Sequence, residues 1–140
     1  MKMLYKTQDK AIIRCDRGDD VIAELSHFTK EYNVQSAGFF GIGACGSLTL
    51  SFYDLEKKEY VDKDFKEDLE IVSCSGNIGW FDEKPLIHAH GVFSDRNYHM
   101  VGGHVKRMII SATGEFVLSL ISHTLTRTYD EKTGLNLLNS

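Results

Sequence analysis

The sequence predicts an α+β fold, in which a strongly bent antiparallel or mixed sheet packs against one main helix near the N-terminus. One segment carries Val21, Ile22, Leu25, Phe28 and Tyr32 at helical spacing. The rest consists of short β-branched and aromatic runs that alternate with polar residues and end at glycine or polar turns. A single helix with roughly seven to nine short strands is typical of a sheet that curls on itself.

The first predicted elements are a strand and the helix. The β-branched run "KAIIRC" predicts a strand over residues 10–15. The helix is predicted to run from Asp19 to Tyr32. Asp19 and Asp20 then place negative charge in its first turn, where it suits the helix dipole.

Alternation with period two predicts the strands that follow. Leu48, Leu50 and Phe52 are expected on one face of a strand, with the residues between them on the other. A glycine-pair turn is expected in "RNYHMVGGH", a break between the last two strands at Thr113 and Gly114, and a weakly patterned tail over 124–140. The other predicted strands lie in "LEKKEYVDKDF", "DLEIVSCSGNIGW" (ended by Gly76 and Asn77), "PLIHAHGVFSD", "VKRMIISAT" and "EFVLSLISHTL".

Composition narrows the classes of protein to consider. The 140 residues are enough for one domain with a core, and we expect a single domain over 1–140. The formal net charge of −4 argues against direct nucleic-acid binding, because proteins that neutralise phosphates are usually basic. The widely spaced Cys15, Cys45 and Cys74 favour reduced thiols in a cytoplasmic protein. We expect no signal peptide, because the start "MKMLYKTQDK" has no apolar h-region, and no membrane span, because no apolar run approaches the ~20 residues that a span needs.

The stretch "GIGACG" at residues 41–46 matches the G-x-G-x-x-G pattern of dinucleotide-binding loops. That motif requires a strand before it and a helix that begins at its last glycine. Here the predicted order is the reverse, with the helix before the motif and a strand after it. The pattern therefore favours a junction between strands, in which Gly41, Gly43 and Gly46 permit a bulge or close backbone packing.

The histidines give the strongest chemical signal. His88 and His90 lie two apart on a predicted strand, which places both on one face with Cα atoms about 6.5–7 Å apart. A hairpin that folds residues 104–110 back onto 88–94 would bring His104 beside them. Three imidazole nitrogens suit Zn²⁺ with one coordination position left open, and Fe, Mn, Ni or Co are alternatives. Histidines on a strand are also common without a metal.

Such a centre could activate water for hydrolysis, a reaction that usually needs a general base. Glu115, Asp95 and Glu70 are the candidates, and the spacing does not select among them. No serine lies in a G-x-S-x-G nucleophile motif. The sequence therefore leaves open whether the protein is an enzyme.

Five segments together resemble the plants and prokaryotes conserved (PPC) domain, also called domain of unknown function 296. The resemblance covers residues 9–123, and its most specific part is the H-x-H followed by G-G-H. The segments are "GDDVIAEL", "GFFGIGACGSLTLSFYD", "LEIVSCSGNIGW", "PLIHAHGVFSDRNYHMVGGHV" and "SATGEFVLSLI".

The resemblance implies a bent antiparallel or mixed sheet with a helix packed on it, assembled as a homotrimer. It also implies a metal, usually zinc, on His88, His90 and His104. In plants the domain follows AT-hook motifs and mediates contacts with transcription factors, and prokaryotic members are often described as DNA-binding by that association. This chain has no R-G-R-P motif, and its "DRGDD" is acidic rather than basic.

The sequence is compatible with three functions. The first is a trimeric metal-binding protein whose histidine centre binds a small molecule or performs catalysis. The second is a regulatory or scaffold module whose trimer binds protein partners, with the metal structural or incidental. The third is direct DNA binding, for which the scattered basic pairs at 57–58 and 106–107 give little support.

Overall fold

The computed structural model describes residues 1–139. Within this range the chain forms nine strands and one helix, in agreement with the predicted number of elements. In chain order the elements are β1 (Lys2–Lys6), β2 (Lys10–Asp16), α1 (Val21–Glu31), β3 (Ser36–Asp54), β4 (Glu59–Phe65), β5 (Leu69–Phe81), β6 (Lys84–Ser94), β7 (Met100–Ile121), β8 (Thr126–Asp130) and β9 (Leu135–Asn139).

The helix α1 begins later than predicted because Asp20 is its N-cap. The Asp20 carboxylate accepts a hydrogen bond of 3.2 Å from the backbone N–H of Ile22. Asp19 also lies outside the helix and pairs with the N-terminal amine of Met1 at 2.6 Å. The apolar stripe of the helix, which includes Leu25 and Phe28, is buried against β6 and β7. This packing was expected from the helical spacing.

The sheet is bent and mixed, as predicted, and four of its strands close into a ring. β3 pairs with β5, β5 with β6, β6 with β7, and β7 with β3 again, all antiparallel. The parallel contribution is a single pairing of Trp80 in β5 with Thr126 in β8. Side chains on the inner face, such as Phe39, Phe93 and Phe116, form the core together with the helix.

Several strands are longer than predicted, because glycines that look like breaks lie inside them. β5 continues through Gly76. A Cβ at this position would lie only 2.1 Å from the carbonyl oxygen of His88, so there is no space for a side chain. β7 is one strand rather than two, and Gly114 is buried within it against Ile110. The glycine pair at 102–103 also lies inside β7, so the turn covers only residues 95–99.

Two further expectations are corrected at the edges of the sheet. Phe52 does not share the burial of Leu48 and Leu50 but is 73 % exposed. It lies beyond Ser51, the last residue of β3 that pairs with β7, so no neighbouring layer covers it. The weakly patterned tail contributes two strands that the sequence analysis does not predict, since β8 and β9 form a hairpin that extends the sheet beside β5.

The segment at residues 41–46 lies within β3 and is followed by more strand, so no helix begins at its last glycine. The pairing of β3 with β5 shifts register between Gly41 and Gly43, which is the bulge that the sequence indicated. Among residues 1–139, no helix has the length and apolar character required to cross a membrane.

Candidate metal centre

The turn between β6 and β7 fixes the register that brings the histidines together. The Asp95 carboxylate accepts hydrogen bonds from the backbone N–H groups of Asn97 (2.7 Å) and His99 (2.9 Å). Aspartate commonly stabilises turns in this way. With the turn held in this form, His90 of β6 pairs directly with His104 of β7.

Strand pairing places the three histidines on one face of the sheet. Paired residues on neighbouring strands point to the same side, as do residues two apart on one strand. His104 and His88 are therefore both on the side of His90. On the flanking strands, Ser75 of β5 pairs with His90, and Ser51 of β3 pairs with His104. The cluster thus lies on the outer face, where the ring of strands closes.

The three imidazoles converge closely. The ring centroids of His88 and His90 are 5.1 Å apart, and each lies 5.4 Å from the centroid of His104. One potential ligand nitrogen from each ring lies within 4.8 Å of the other two. His90 is exposed, whereas His88 and His104 are partly buried. The Tyr60 ring lies 5.1 Å from the ring of His104.

The environment of His88 and His104 favours the neutral imidazole, which is the form that binds metal. Burial, together with the nearby His88 and His90, lowers the pKa of His104 to about 4 against the opposing effect of Asp62. Burial also lowers the pKa of His88, helped by the positive charge of Arg127 and by His90.

The residues present fit a transition-metal ion. A tetrahedral zinc with bonds of about 2.0–2.1 Å separates its nitrogens by roughly 3.3–3.4 Å. Small side-chain rotations would bring His88, His90 and His104 from their spacing within 4.8 Å to that distance. Three imidazoles leave one tetrahedral position for water or a ligand, and an ion held there would supply Lewis acidity and lower the pKa of bound water.

The structure does not bring the candidate general bases to the cluster. Glu115 lies eleven residues beyond His104 on β7, roughly 35 Å of extended strand, and it pairs with Arg14 of β2. Asp95 is engaged in the turn, and Glu70 lies at the start of β5. None of these carboxylates lines the pocket next to the histidines.

A pocket of about 400 Å³ opens beside the cluster, and we call it the histidine pocket. Its wall includes His88, His104, Tyr60 and Arg127. Sequence reasoning missed Tyr60, which reaches the site through the pairing of β4 with β3. It also missed Arg127, because the sequence does not show that the tail folds back to β5. The available signal was the loop "DEKTG" between "TRTY" and "LNLLN", which is typical of a hairpin and contains Gly134 at a φ of 75°.

The sequence pattern of the Plants and Prokaryotes Conserved (PCC) domain, the PPC domain named above, matches residues 5–122. The chain belongs to this family. Among curated proteins, no sequence matches the PPC chain.

Three solved structures show how closely the PPC fold is shared. A metal-containing protein from Archaeoglobus fulgidus is 35 % identical with a TM-score of 0.87, and the match covers 100 % of each chain. A protein from Bacteroides thetaiotaomicron, to which DNA binding is provisionally ascribed, is 33 % identical with a TM-score of 0.94 over 99 % of this chain and 96 % of that one. A PPC protein from Pyrococcus horikoshii is 25 % identical with a TM-score of 0.86 over 94 % and 91 %.

Proposed function

We propose that the chain is a single-domain, homotrimeric zinc-binding protein whose three-histidine centre presents one open coordination position to a small ligand or to activated water. The observation that carries this proposal is the convergence of His88, His90 and His104, with ligand nitrogens within 4.8 Å of one another. Neutral imidazole ligands without a carboxylate suit zinc among the divalent ions.

Two observations support the metal. In the described part of the chain, the three histidines contact one another and Tyr60, but none of their ring nitrogens forms a hydrogen bond with the protein. Imidazoles that lack protein partners on a partly buried face are well suited to an ion. The Archaeoglobus fulgidus relative is named as a metal-containing protein.

The homotrimer is supported by apolar side chains on the outer face of the ring. Phe40 is 59 % exposed, and Ile42, Val92 and Met100 are exposed beside it on the face that also carries His90. Several large apolar side chains exposed on one face of a sheet are typical of an interaction site. Closed symmetric assembly of identical chains is the commonest way to cover such a surface.

The buried thiols support residence in the cytoplasm. Cys15, Cys45 and Cys74 are all free and buried, and burial raises their pKa values to about 12, 11 and 12. Thiols persist in this form most readily in a reducing compartment.

The test is elemental analysis of untagged protein, purified without chelators, with light-scattering mass measured on the same sample. We expect one zinc per chain and a particle of three 15.8 kDa chains, or about 47 kDa. A sample that takes up no zinc, even after zinc is added, would contradict the metal assignment. A monomeric mass would contradict the trimer.

A double substitution, His88→Ala with His90→Ala, locates the ion. It removes two of three ligands, so stoichiometric zinc should be lost while circular dichroism still shows folded protein. The matched control is His27→Ala with His123→Ala, because both side chains are exposed and neither belongs to the cluster. Zinc retained by the His88/His90 variant would place the ion elsewhere.

A regulatory or scaffold module is the second candidate, acting through protein partners or in association with DNA. The DNA-binding description of the Bacteroides thetaiotaomicron relative favours it. Against direct phosphate contact, Lys106 is paired with Asp62 and Arg107 with Asp20. Binding to a DNA duplex that weakens steeply as salt rises would support direct DNA binding, whereas no binding at low salt would exclude it.

A further inference from the structure

The histidine pocket has an unusual charge. Among residues 1–139, no aspartate or glutamate lines it, and Arg127 is its one arginine or lysine. A divalent ion on neutral histidines would keep its full charge, since imidazoles carry none. Two positive groups therefore face one pocket with no acidic side chain in its wall.

Arg127 is held in place but lacks an acidic partner. It takes part in none of the ion pairs in the described part of the chain. One terminal nitrogen donates a hydrogen bond of 2.8 Å to the carbonyl oxygen of Asn136. The other donates a bond of 2.6 Å to the side-chain oxygen of Asn77, which is the residue that pairs with His88.

Within residues 1–139, only two of the N–H groups of this guanidinium have an acceptor. Its Nε is buried without a hydrogen-bond partner, and a guanidinium carries five N–H groups in a planar fork. A buried donor on a charged group is costly to leave unpaired. Each terminal nitrogen also carries a second N–H beyond its bond to Asn136 or Asn77, and the planar guanidinium matches the geometry of a carboxylate.

Apart from Asn136 and the histidines, the rest of the wall is apolar, and this narrows the class of ligand. Leu86, Leu135 and Leu137 line the pocket together with the Tyr60 ring. Its volume of about 400 Å³ lies in the range that holds a small molecule. Inorganic phosphate would leave these apolar side chains without contact, whereas an organic acid with a hydrocarbon part would use both features.

We propose that the histidine pocket binds a small organic carboxylic acid, with the carboxylate paired to Arg127 and the hydrocarbon part against the leucines, beside the metal centre. This inference rests on the proposed function, because the metal provides the second positive charge. It extends that function by naming the ligand class.

The experiment is calorimetric titration of zinc-loaded protein with 2-hydroxybutyrate and, as an uncharged probe of the same shape, with 2-hydroxybutyramide. We expect the acid to bind about tenfold more tightly than the amide or better, because charge-assisted bidentate bonds are about twice as strong as neutral ones. Arg127→Gln should abolish this preference. Arg107→Gln, which removes an equal charge from a side chain outside the pocket, should keep it.

Arg127→Gln also removes the bond to Asn136, so disruption of the β8–β9 hairpin would be a second explanation for lost acid binding. A second variant that keeps Arg127 separates the two explanations. Leu137 lines the pocket and is 43 % exposed, and Leu137→Asp would add a competing carboxylate without changing Arg127. We expect this variant to lose acid binding while its zinc content and melting temperature stay those of the wild type. Unchanged acid binding would overturn the proposal.

Zinc content, measured before each titration, separates the two levels of inference. Protein that takes up no zinc overturns the proposed function, and this inference with it. Zinc-loaded protein that binds neither probe, that binds acid and amide equally, or that keeps its preference in Arg127→Gln overturns this inference alone. Inorganic phosphate that binds more tightly than 2-hydroxybutyrate would also overturn it, because the apolar wall would then be irrelevant.

Discussion

Two glycine-rich segments, residues 41–46 in β3 and 102–103 in β7, look alike in sequence but serve different purposes. In the first, a Cβ on Gly43 would lie 2.1 Å from the carbonyl oxygen of Thr113 in the interior of the sheet. In the second, a Cβ on Gly102 would lie 2.8 Å from the carbonyl oxygen of Gly91, where β7 crosses to β6.

The difference lies in the side chains that each close approach brings together. The neighbours of Gly43 are backbone atoms of Thr113 and Gly114, and Gly41 on the same segment approaches the buried ring of Phe116, so this approach builds core. Two residues beyond Gly102 is His104, so the same kind of approach positions a histidine beside His90. A glycine inside a strand thus marks where another backbone comes close, and its neighbours determine whether stability or chemistry depends on it.

The largest expected effect is that of Gly43→Ala. Its φ of 148° is unfavourable for alanine, and the new methyl would overlap backbone atoms that cannot rotate away. We expect the free energy of unfolding in urea to fall by about 3 kcal/mol or more. The molecules of this variant that remain folded should still bind zinc.

Gly38→Ala on the same strand is the matched control. A Cβ there would lie 4.0 Å from the nearest atom, the carbonyl oxygen of Gly76. Its effect should stay below about 1 kcal/mol. An equal decrease in the free energy of unfolding for the two variants would mean that any added methyl group destabilises β3. The close backbone approach at Gly43 would then not explain the effect.

Compared with Gly43→Ala, Gly102→Ala should have a smaller effect on the free energy of unfolding and a larger effect on zinc affinity. The methyl would push β7 away from β6 near the edge of the sheet, at a cost of about 1–2 kcal/mol in unfolding free energy. Because the shift moves His104 relative to His90, zinc affinity in a competition titration should fall about tenfold or more. In Gly103→Ala, the methyl would lie 3.4 Å from the Ser51 carbonyl oxygen, and affinity should stay near that of the wild type.

Local patterns predicted the parts of the fold that local forces determine. The stripe from Val21 to Phe28 predicted the helix, and the spacing of His88 and His90 placed them on one strand face. The glycines at 76 and 114 were interpreted as breaks, because glycine weakens strands in isolation. In the folded chain they lie within strands, since atoms distant in sequence occupy the space that a side chain would need.

The sequence predicted the part of the candidate site that the β6–β7 hairpin forms, but not the part that the tail contributes. His104 follows His90 by a short turn, so sequence proximity favoured their meeting. Arg127 reaches the pocket through its bond to Asn77, fifty residues earlier in the chain. No pattern within the tail indicates that contact, because β8 joins β5 through the single pairing of Trp80 with Thr126.

The smallest expected effect is the pH dependence of the metal-free protein. The pKa of His104 is about 4 in the folded chain, against 6.5 for an ordinary histidine. Between these values the unfolded state binds more protons than the folded state, so the free energy of unfolding decreases as the pH falls from 6.5 towards 4. The loss should be modest, because His104 is only partly buried and solvent screens its surroundings.

Urea unfolding of metal-free wild type and His104→Gln, measured from pH 7.5 to 4.5, isolates this contribution. Glutamine does not titrate in this range, so the difference in unfolding free energy between the two proteins should be constant above pH 7 and should shrink below 6.5. A difference that stays constant throughout would mean that His104 is as solvated in the folded chain as in the unfolded one. The close approach at Gly102 would then position the imidazole without burying it, whereas Gly43 marks an approach that excludes water.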